Sequence, residues 1–129
     1  MLAPAIREPK PYVRCLVAFY GFLDITQSAL HRRFLSEELI RRFSPSVAVA
    51  ESSVALPPMF VARAGRDEIP DLQPGLDRFV SEALKKNVDL AFFNQPGGEH
   101  GFDNIGGDPR SREIVREAVE FLRRNLGVR

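Results

Sequence analysis

The 129-residue sequence contains a single cysteine, which excludes an internal disulfide and leaves the redox compartment open. Cys15 lies inside an apolar run, where a small buried side chain is a better interpretation than a reactive thiol. The net charge is only +1 and the arginines form no basic stripe, so neither nucleic acid nor an acidic membrane is expected as a partner. Residues 1–10 contain no long apolar core, so no signal peptide or membrane span is predicted and a cytoplasmic location is the default expectation.

The sequence is also poor in the residues that hold metals and cofactors. Its two histidines stand in unrelated contexts and form no metal cluster, and a glycine-rich phosphate loop is missing. His31 stands beside Arg32 and Arg33 on the polar side of a predicted helix, so we interpret it as solvated surface. No metal or cofactor is therefore expected.

The composition, with 44% hydrophobic and 27% charged residues, is that of one globular domain over residues 1–129. Three apolar runs are nearly continuous, which is typical of strands covered on both faces of a parallel sheet: residues 12–20, 59–64 and 88–93. A helical pattern follows each run, over residues 28–43, 71–86 and 109–125. This alternation predicts an α/β fold with three parallel strands and flanking helices.

The helix boundaries carry their own signals. Residues 1–8 resemble the last turns of a helix stopped by Pro9 and Pro11, whereas residues 46–55 favour no structure. Asp71 is expected to cap the helix over 71–86, and Asp108 followed by Pro109 is a clean start for the last helix. The apolar positions expected to face inward are Leu30, Phe34, Leu35, Leu39, Ile40 and Phe43 in one helix and Leu72, Leu76, Phe79, Val80, Ala83 and Leu84 in the next.

Two of the predicted strands end in turns that carry a residue able to take part in proton transfer. The strand over 59–64 breaks at Gly65 before Asp67, and the strand over 88–93 breaks at a proline and two glycines before His100. Because the carboxyl ends of parallel strands share one edge of the sheet, both turns are expected there, where such sheets bind their ligands. An acid and a histidine are the orienter and base of a nucleophile–base–acid triad. Glu68 is an adjacent rival acid, and Asp24 and Asp103 are interpreted as cap or turn residues.

The motif AGRDEIP followed by GGEHGFD resembles the end of the α/β-hydrolase fold, in particular its dienelactone-hydrolase and carboxylesterase-like branch. YVRCLVAFYG is similar to the sixth strand of that family. The resemblance implies the chain order nucleophile, acid, histidine, with Asp67 as the orienting acid and His100 as the base. It favours Asp67 over Glu68 by the register of GRDEIP. It also implies that residues 22–56 form part of a lid or pocket wall.

The nucleophile of such a triad is not recognisable in the sequence. The serines lack the glycine neighbours of a G-x-S-x-G elbow: Ser28, Ser36, Ser44, Ser46, Ser52, Ser53, Ser81 and Ser111. By the resemblance, the elbow would lie just before residue 1. The chain is therefore expected to be the C-terminal half of a serine esterase, as a shortened form, one half of a split enzyme or a gene remnant, and to be inactive alone.

The alternative is a non-catalytic binding or self-assembling module derived from that fold. If residues 12–20 form an interior strand of the parent fold, their free edge is a template for pairing with another chain. This predicts a homodimer or union with a separate N-terminal half. The substrate of the completed enzyme would be a small ester.

Overall fold

A computed structural model of the chain describes residues 2–105 and 107–127, so Met1 of the predicted N-terminal helix lies outside the described residues. The elements alternate between helices and strands. In chain order they are α1 Leu2–Arg7, β1 Leu16–Phe19, α2 Ala29–Arg32, α3 Glu37–Phe43, α4 Pro45–Glu51, β2 Met59–Ala64, α5 Leu72–Lys85, β3 Leu90–Gln95, α6 Phe102–Ile105 and α7 Pro109–Leu126.

The strands form one parallel sheet in the order β1-β2-β3, which confirms the predicted fold class. Strand β1 is shorter than the predicted strand over residues 12–20. Its ladder starts with Leu16, whose amide donates to the carbonyl of Pro58. Earlier residues would lie beside Pro57 and Pro58, which have no N–H to donate, and the amide of Val13 closes a turn onto Lys10 instead.

Strand β3 begins two residues later than the prediction of residues 88–93. The amide of Val88 donates to the carbonyl of Ala83 at the end of α5, so this residue still belongs to the helix cap. Asn87 adopts a left-handed conformation with φ of 53° and closes that helix, as predicted. The ladder starts only when the chain has turned back onto the sheet, at Leu90.

Both faces of the sheet are covered, as the continuous apolar runs predict. Alternate residues of β2 point to opposite sides, because the side-chain period of a strand is two. One face buries Met59 and Val61 against α1, α4 and α5, and the other buries Phe60 and Ala62 against α6 and α7. The site at the ends of the strands therefore lies on a sheet that is packed from both sides.

The prediction of one helix over residues 28–43 is wrong. Ser36 accepts a hydrogen bond from the amide of Leu39 and starts a new helix, so the segment is divided into α2 and α3. Before the break, Leu30 and Phe34 of the predicted stripe are 54% and 77% exposed, whereas Ile40 in α3 is buried as predicted. The segment without a predicted structure contains α4, which starts at Pro45 in the first helical position.

The predicted caps of the two long helices had different outcomes. Asp108 accepts hydrogen bonds from the amides of Arg110 and Ser111 and caps α7, as predicted. Asp71 precedes α5 but makes no capping hydrogen bond, and its carboxylate accepts from the amide of Ala29 in α2 instead. Leu84 is 63% exposed, so its predicted inward position is wrong, whereas Leu72, Leu76, Phe79 and Ala83 are buried as predicted. Within residues 2–105 and 107–127, no helix combines the length and the apolar character needed to cross a membrane.

Candidate active site

Asp67 and His100 lie in contact at the carboxyl edge of the sheet. Asp67 follows the end of β2 and His100 follows the end of β3, and His100 Nδ1 is 2.7 Å from Asp67 Oδ2. The carboxylate of Asp67 is 0% exposed, whereas the imidazole of His100 is 45% exposed. A buried acid that holds one ring nitrogen of an accessible histidine is the arrangement of an orienter and a base. Their catalytic roles stay a prediction.

The carboxylate of Asp67 is held in place by its own turn. Its second oxygen, Oδ1, accepts from the amide of Ile69 at 3.0 Å. The amide of the Gln73 side chain, in the first turn of α5, donates to the backbone carbonyl of Asp67 at 2.9 Å. The turn before α5 therefore fixes the side chain of the acid, and the first turn of α5 fixes its backbone.

Backbone hydrogen bonds connect the two turns that carry the pair. The amide of Gly65 donates to the carbonyl of Gln95, and the amide of Arg66 donates to the carbonyl of Gly98, both at 2.8 Å. Residue 65 must be glycine for this approach, because a Cβ there would lie 2.6 Å from the carbonyl oxygen of Pro96. The distance between Asp67 and His100 thus depends on the absence of a Cβ at Gly65, two residues before the acid.

We expect Gly65→Ala to separate the two turns and to lower the free energy of unfolding by about 2 kcal/mol, the usual cost of a forced backbone shift. Loss of the His100 Nδ1 proton signal in the NMR spectrum would report the broken contact with Asp67. Gly97→Ala is the matched control, because a Cβ at Gly97 meets nothing within 4 Å. Equal behaviour of the two variants would contradict the role of residue 65.

Sequence reasoning missed Tyr20, which the end of β1 brings to the same site. The ring centroids of Tyr20 and His100 are 4.4 Å apart, and the hydroxyl of Tyr20 donates to Asp103 in α6. Asp103, interpreted from the sequence as a cap or turn residue, is thus also the anchor of a tyrosine. The signal that was available is the position of Tyr20 at the end of a predicted strand, followed by Gly21.

The phenol of Tyr20 is expected to ionise at a pKa of about 12, raised from 10.0 by burial first and then by the hydrogen bond and negative charge of Asp103. The unfolded chain loses this proton first, so the contribution of Tyr20 to stability should fall as the pH rises from 10.0 to about 12. Ultraviolet titration of a Tyr12→Phe variant measures it, because the sequence has only one other tyrosine. A midpoint at 10.0 would contradict the prediction.

A cavity of about 480 Å³ borders His100 on the side of β3 and α7. Its lining includes Gln95, Gly98, Glu99, Phe102 and Arg110. The size is within the range of pockets that take small ligands. Behind it, the side-chain amide of Gln95 donates to Asp108 and Ser111, which keeps this wall of the site in one arrangement.

Asp24 and His31, which the sequence analysis placed in a turn and on the surface, make side-chain hydrogen bonds with buried groups. Asp24 is buried and accepts hydrogen bonds from Thr26, Ser46 and Arg78, so it is more than a cap. His31 is half-buried, with Nδ1 2.8 Å from the hydroxyl of the buried Ser28, so the prediction of a solvated histidine is wrong. The sequence does not show these contacts, because Ser46 and Arg78 are far from Asp24 in the chain and Ser28 lies one helical turn before His31.

No serine in the described part of the chain offers its hydroxyl to His100. Ser28 contacts His31, Ser44 and Ser46 lie in the network of Asp24, and Ser111 is bonded to Asp108. Cys15 is half-buried beside the sheet, where burial raises the pKa of its thiol. A triad needs a nucleophile, an acid and a base. Within the described residues, the structure brings together the candidate acid, Asp67, and the candidate base, His100.

The chain has part of the α/β-hydrolase fold, with three parallel strands and flanking helices, and its structural neighbours are esterases of that type. Carboxyl esterase 2 of the fungus Tuber melanosporum matches 96% of this chain with a TM-score of 0.68 and 18% identity. An esterase of the planctomycete Thermogutta terrifontis matches 86% with a TM-score of 0.65 and 20% identity, and a fungal esterase of Rhizomucor miehei matches 96% with 0.63 and 16%.

The chain spans less than half the length of these esterases, covering 48%, 42% and 45% of them in the same order. No protein-family model and no curated protein matches the sequence. At these identities the likeness defines the fold alone.

Proposed function

We propose that this chain supplies the acid and the base of a serine esterase, with Asp67 orienting His100 and the nucleophile coming from outside the 129 residues. The observation that carries the proposal is the 2.7 Å contact between His100 Nδ1 and the buried Asp67 at the strand ends of an esterase-type fold. An acid and a histidine in contact are the arrangement of a catalytic triad, and they lie at the carboxyl edge of the sheet, where such folds bind their ligands. This supports esterase chemistry over other uses of the fold.

In this reaction His100 moves the protons and Asp67 holds the ring. The Nδ1 proton is donated to Asp67, which leaves the lone pair of Nε2 to take the proton of a serine hydroxyl as that oxygen attacks the ester carbonyl. The same proton then goes to the departing alcohol, and a water molecule repeats the cycle on the acyl-enzyme. The buried carboxylate stabilises the imidazolium that exists between the two transfers.

The outer edge of β1 is the place where we propose that the missing segment is added. Within the described residues β1 pairs only with β2, so its other edge offers free backbone groups to a further strand. A second copy of the chain is the other candidate for the same edge. Asp67 and His100 lie at the carboxyl end of this sheet, within reach of an elbow carried by a neighbouring strand.

The proposed substrate is a small ester with a short acyl group. The esterase of Thermogutta terrifontis has been solved with propionate and with butyrate bound, and these neighbours support that choice. We also propose that α2, α3 and α4 form one wall of the substrate pocket, since Asp71 fixes α2 to the start of α5 close to the turn of Asp67. The dienelactone-hydrolase branch stays a prediction.

The test is turnover of p-nitrophenyl butyrate by the purified chain, and by the chain produced together with the segments that flank it in its gene. His100→Ala is the inactive variant, and Tyr12→Ala, which truncates a ring that is 80% exposed before the start of β1, is the control. Paraoxon, which phosphorylates the Thermogutta terrifontis esterase, then labels the nucleophile for mass spectrometry.

Turnover that requires the flanking segments and is lost in His100→Ala would support the proposal as stated. Turnover by the chain alone, lost in the same variant, would support the esterase and place the nucleophile within the chain or in a second copy. Absence of turnover in both preparations, or turnover that persists in His100→Ala, would overturn it.

A further inference from the structure

The hydrogen bond to Asp67 fixes only one atom of His100. The imidazole is 45% exposed and stands on a loop between Gly98 and Gly101, the latter with φ of 85°. A single contact at Nδ1 leaves the ring free to swing about the line between Nδ1 and the carboxylate. A base that must meet a hydroxyl through Nε2 needs a second contact to fix the plane of its ring.

Tyr20 makes that second contact. Its ring meets the imidazole with centroids 4.4 Å apart and planes inclined at 60°. This distance is just below the range of roughly 4.5–7 Å for attractive aromatic pairs, so the two rings are in close contact and the phenol ring blocks one direction of swing. One residue of the site follows the end of each of the three strands: Tyr20, Asp67 and His100.

Tyr20 is itself held at several points, as a residue that positions another must be. Its amide donates to the carbonyl of Ala62 at 2.8 Å, and its hydroxyl donates to Asp103 in α6, shortly after His100. Its ring meets Phe102 edge-on at 5.6 Å between centroids. The backbone of Tyr20 is therefore tied to β2, and its side chain is tied to α6, which follows His100.

The backbone of Tyr20 is in a conformation that a tyrosine rarely adopts. Its φ is 34°, in the region that favours glycine, and a bulky residue there costs on the order of 1 kcal/mol. Glycine at this position would relieve that strain but would carry no ring. A strained residue kept in place by its contacts is typical of functional sites.

We propose that Tyr20 is a positioning residue for His100, whose anchored ring fixes the plane of the imidazole while Asp67 fixes its Nδ1. The inference rests on the proposed function, because the orientation matters only if His100 acts as a base. The ring is the active part, and without the hydroxyl the edge-on contact with Phe102 and the backbone hydrogen bond to Ala62 still hold it in place.

The experiment measures the Nδ1 proton of His100 by NMR in the full chain, with His100→Ala to assign the signal. Tyr20→Phe keeps the ring, and Tyr20→Leu removes it. Tyr20→Gly removes the ring and relieves the positive φ, which guards against a variant that simply fails to fold. We expect the wild type and Tyr20→Phe to keep the signal, and Tyr20→Leu and Tyr20→Gly to exchange this proton with water about tenfold faster, the factor that an aromatic contact of this kind carries.

Unchanged proton exchange in folded Tyr20→Gly would overturn the proposal, and so would equal loss in Tyr20→Phe and Tyr20→Leu. Thermal unfolding of each variant reports the fold separately. The proton signal is independent of turnover. If no preparation has esterase activity but the NMR pattern is as expected, the proposed function is refuted and the contact between Tyr20 and His100 stands. In the completed enzyme we expect Tyr20→Leu to lower kcat with little change in KM, and Tyr20→Phe to restore it.

Discussion

Under the proposed function, Asp67→Asn is expected to lower kcat of the completed chain by about 10⁴-fold with the fold intact. Asparagine has nearly the shape of aspartate, and its oxygen can still accept from the amide of Ile69, as Oδ1 of Asp67 does. Its amide nitrogen would face His100 Nδ1 and donate to it, which moves the ring proton to Nε2. The histidine would then have no lone pair to offer the serine hydroxyl. Steady-state hydrolysis of p-nitrophenyl butyrate measures the loss.

Glu68→Gln is the matched control for this substitution. It removes the same charge from the adjacent residue, whose exposed side chain was the rival acid in the sequence. We expect its kcat to stay within about twofold of the wild type, because surface changes of charge act weakly through solvent. A comparable loss in both variants would mean that the local charge, rather than the tautomer of His100, is what matters.

Asp24→Ala is expected to lower the free energy of unfolding by about 3 kcal/mol, because it leaves Arg78 and two hydroxyl groups without their acceptor. Burial raises the pKa of Asp24, but hydrogen bonds from Ser46, Thr26 and Arg78 outweigh it and hold the pKa below its ordinary value. The stabilisation is therefore present above the pKa of the unfolded chain and is lost as the pH falls through the lower pKa of the folded one. Urea unfolding at neutral and at acid pH measures both effects.

The surface pair of Asp77 and Arg63 provides the comparison for Asp24. Asp77 is largely exposed and bonded to Arg63 at 2.8 Å, so Asp77→Ala is expected to cost less than about 1 kcal/mol. A similar cost for the two substitutions would show that burial of Asp24 contributes little.

The strands, their parallel order and the two residues of the pair could be predicted from the sequence because each depends on local information. A continuous apolar run indicates a strand that is buried on both faces of a parallel sheet. The turns that follow parallel strands then lie at the same edge of the sheet. The break at Ser36 was missed because apolar residues on both sides of it fit one helical period, although the serine starts a new helix. Tyr20, Asp24 and His31 depend on contacts between elements or across a turn, for which the sequence has no period.

The pair of Asp67 and His100 belongs to one contiguous unit, β2, α5 and β3, and the partners are only 33 positions apart in the sequence. Closing a loop of that length costs little more entropy than closing one of half the length, and strands separated by one helix meet early when a chain collapses. We therefore expect the acid and the base to meet as this unit folds, before any remote strand is added to β1. The proposed acid and base would then already be in contact when a partner segment pairs with β1.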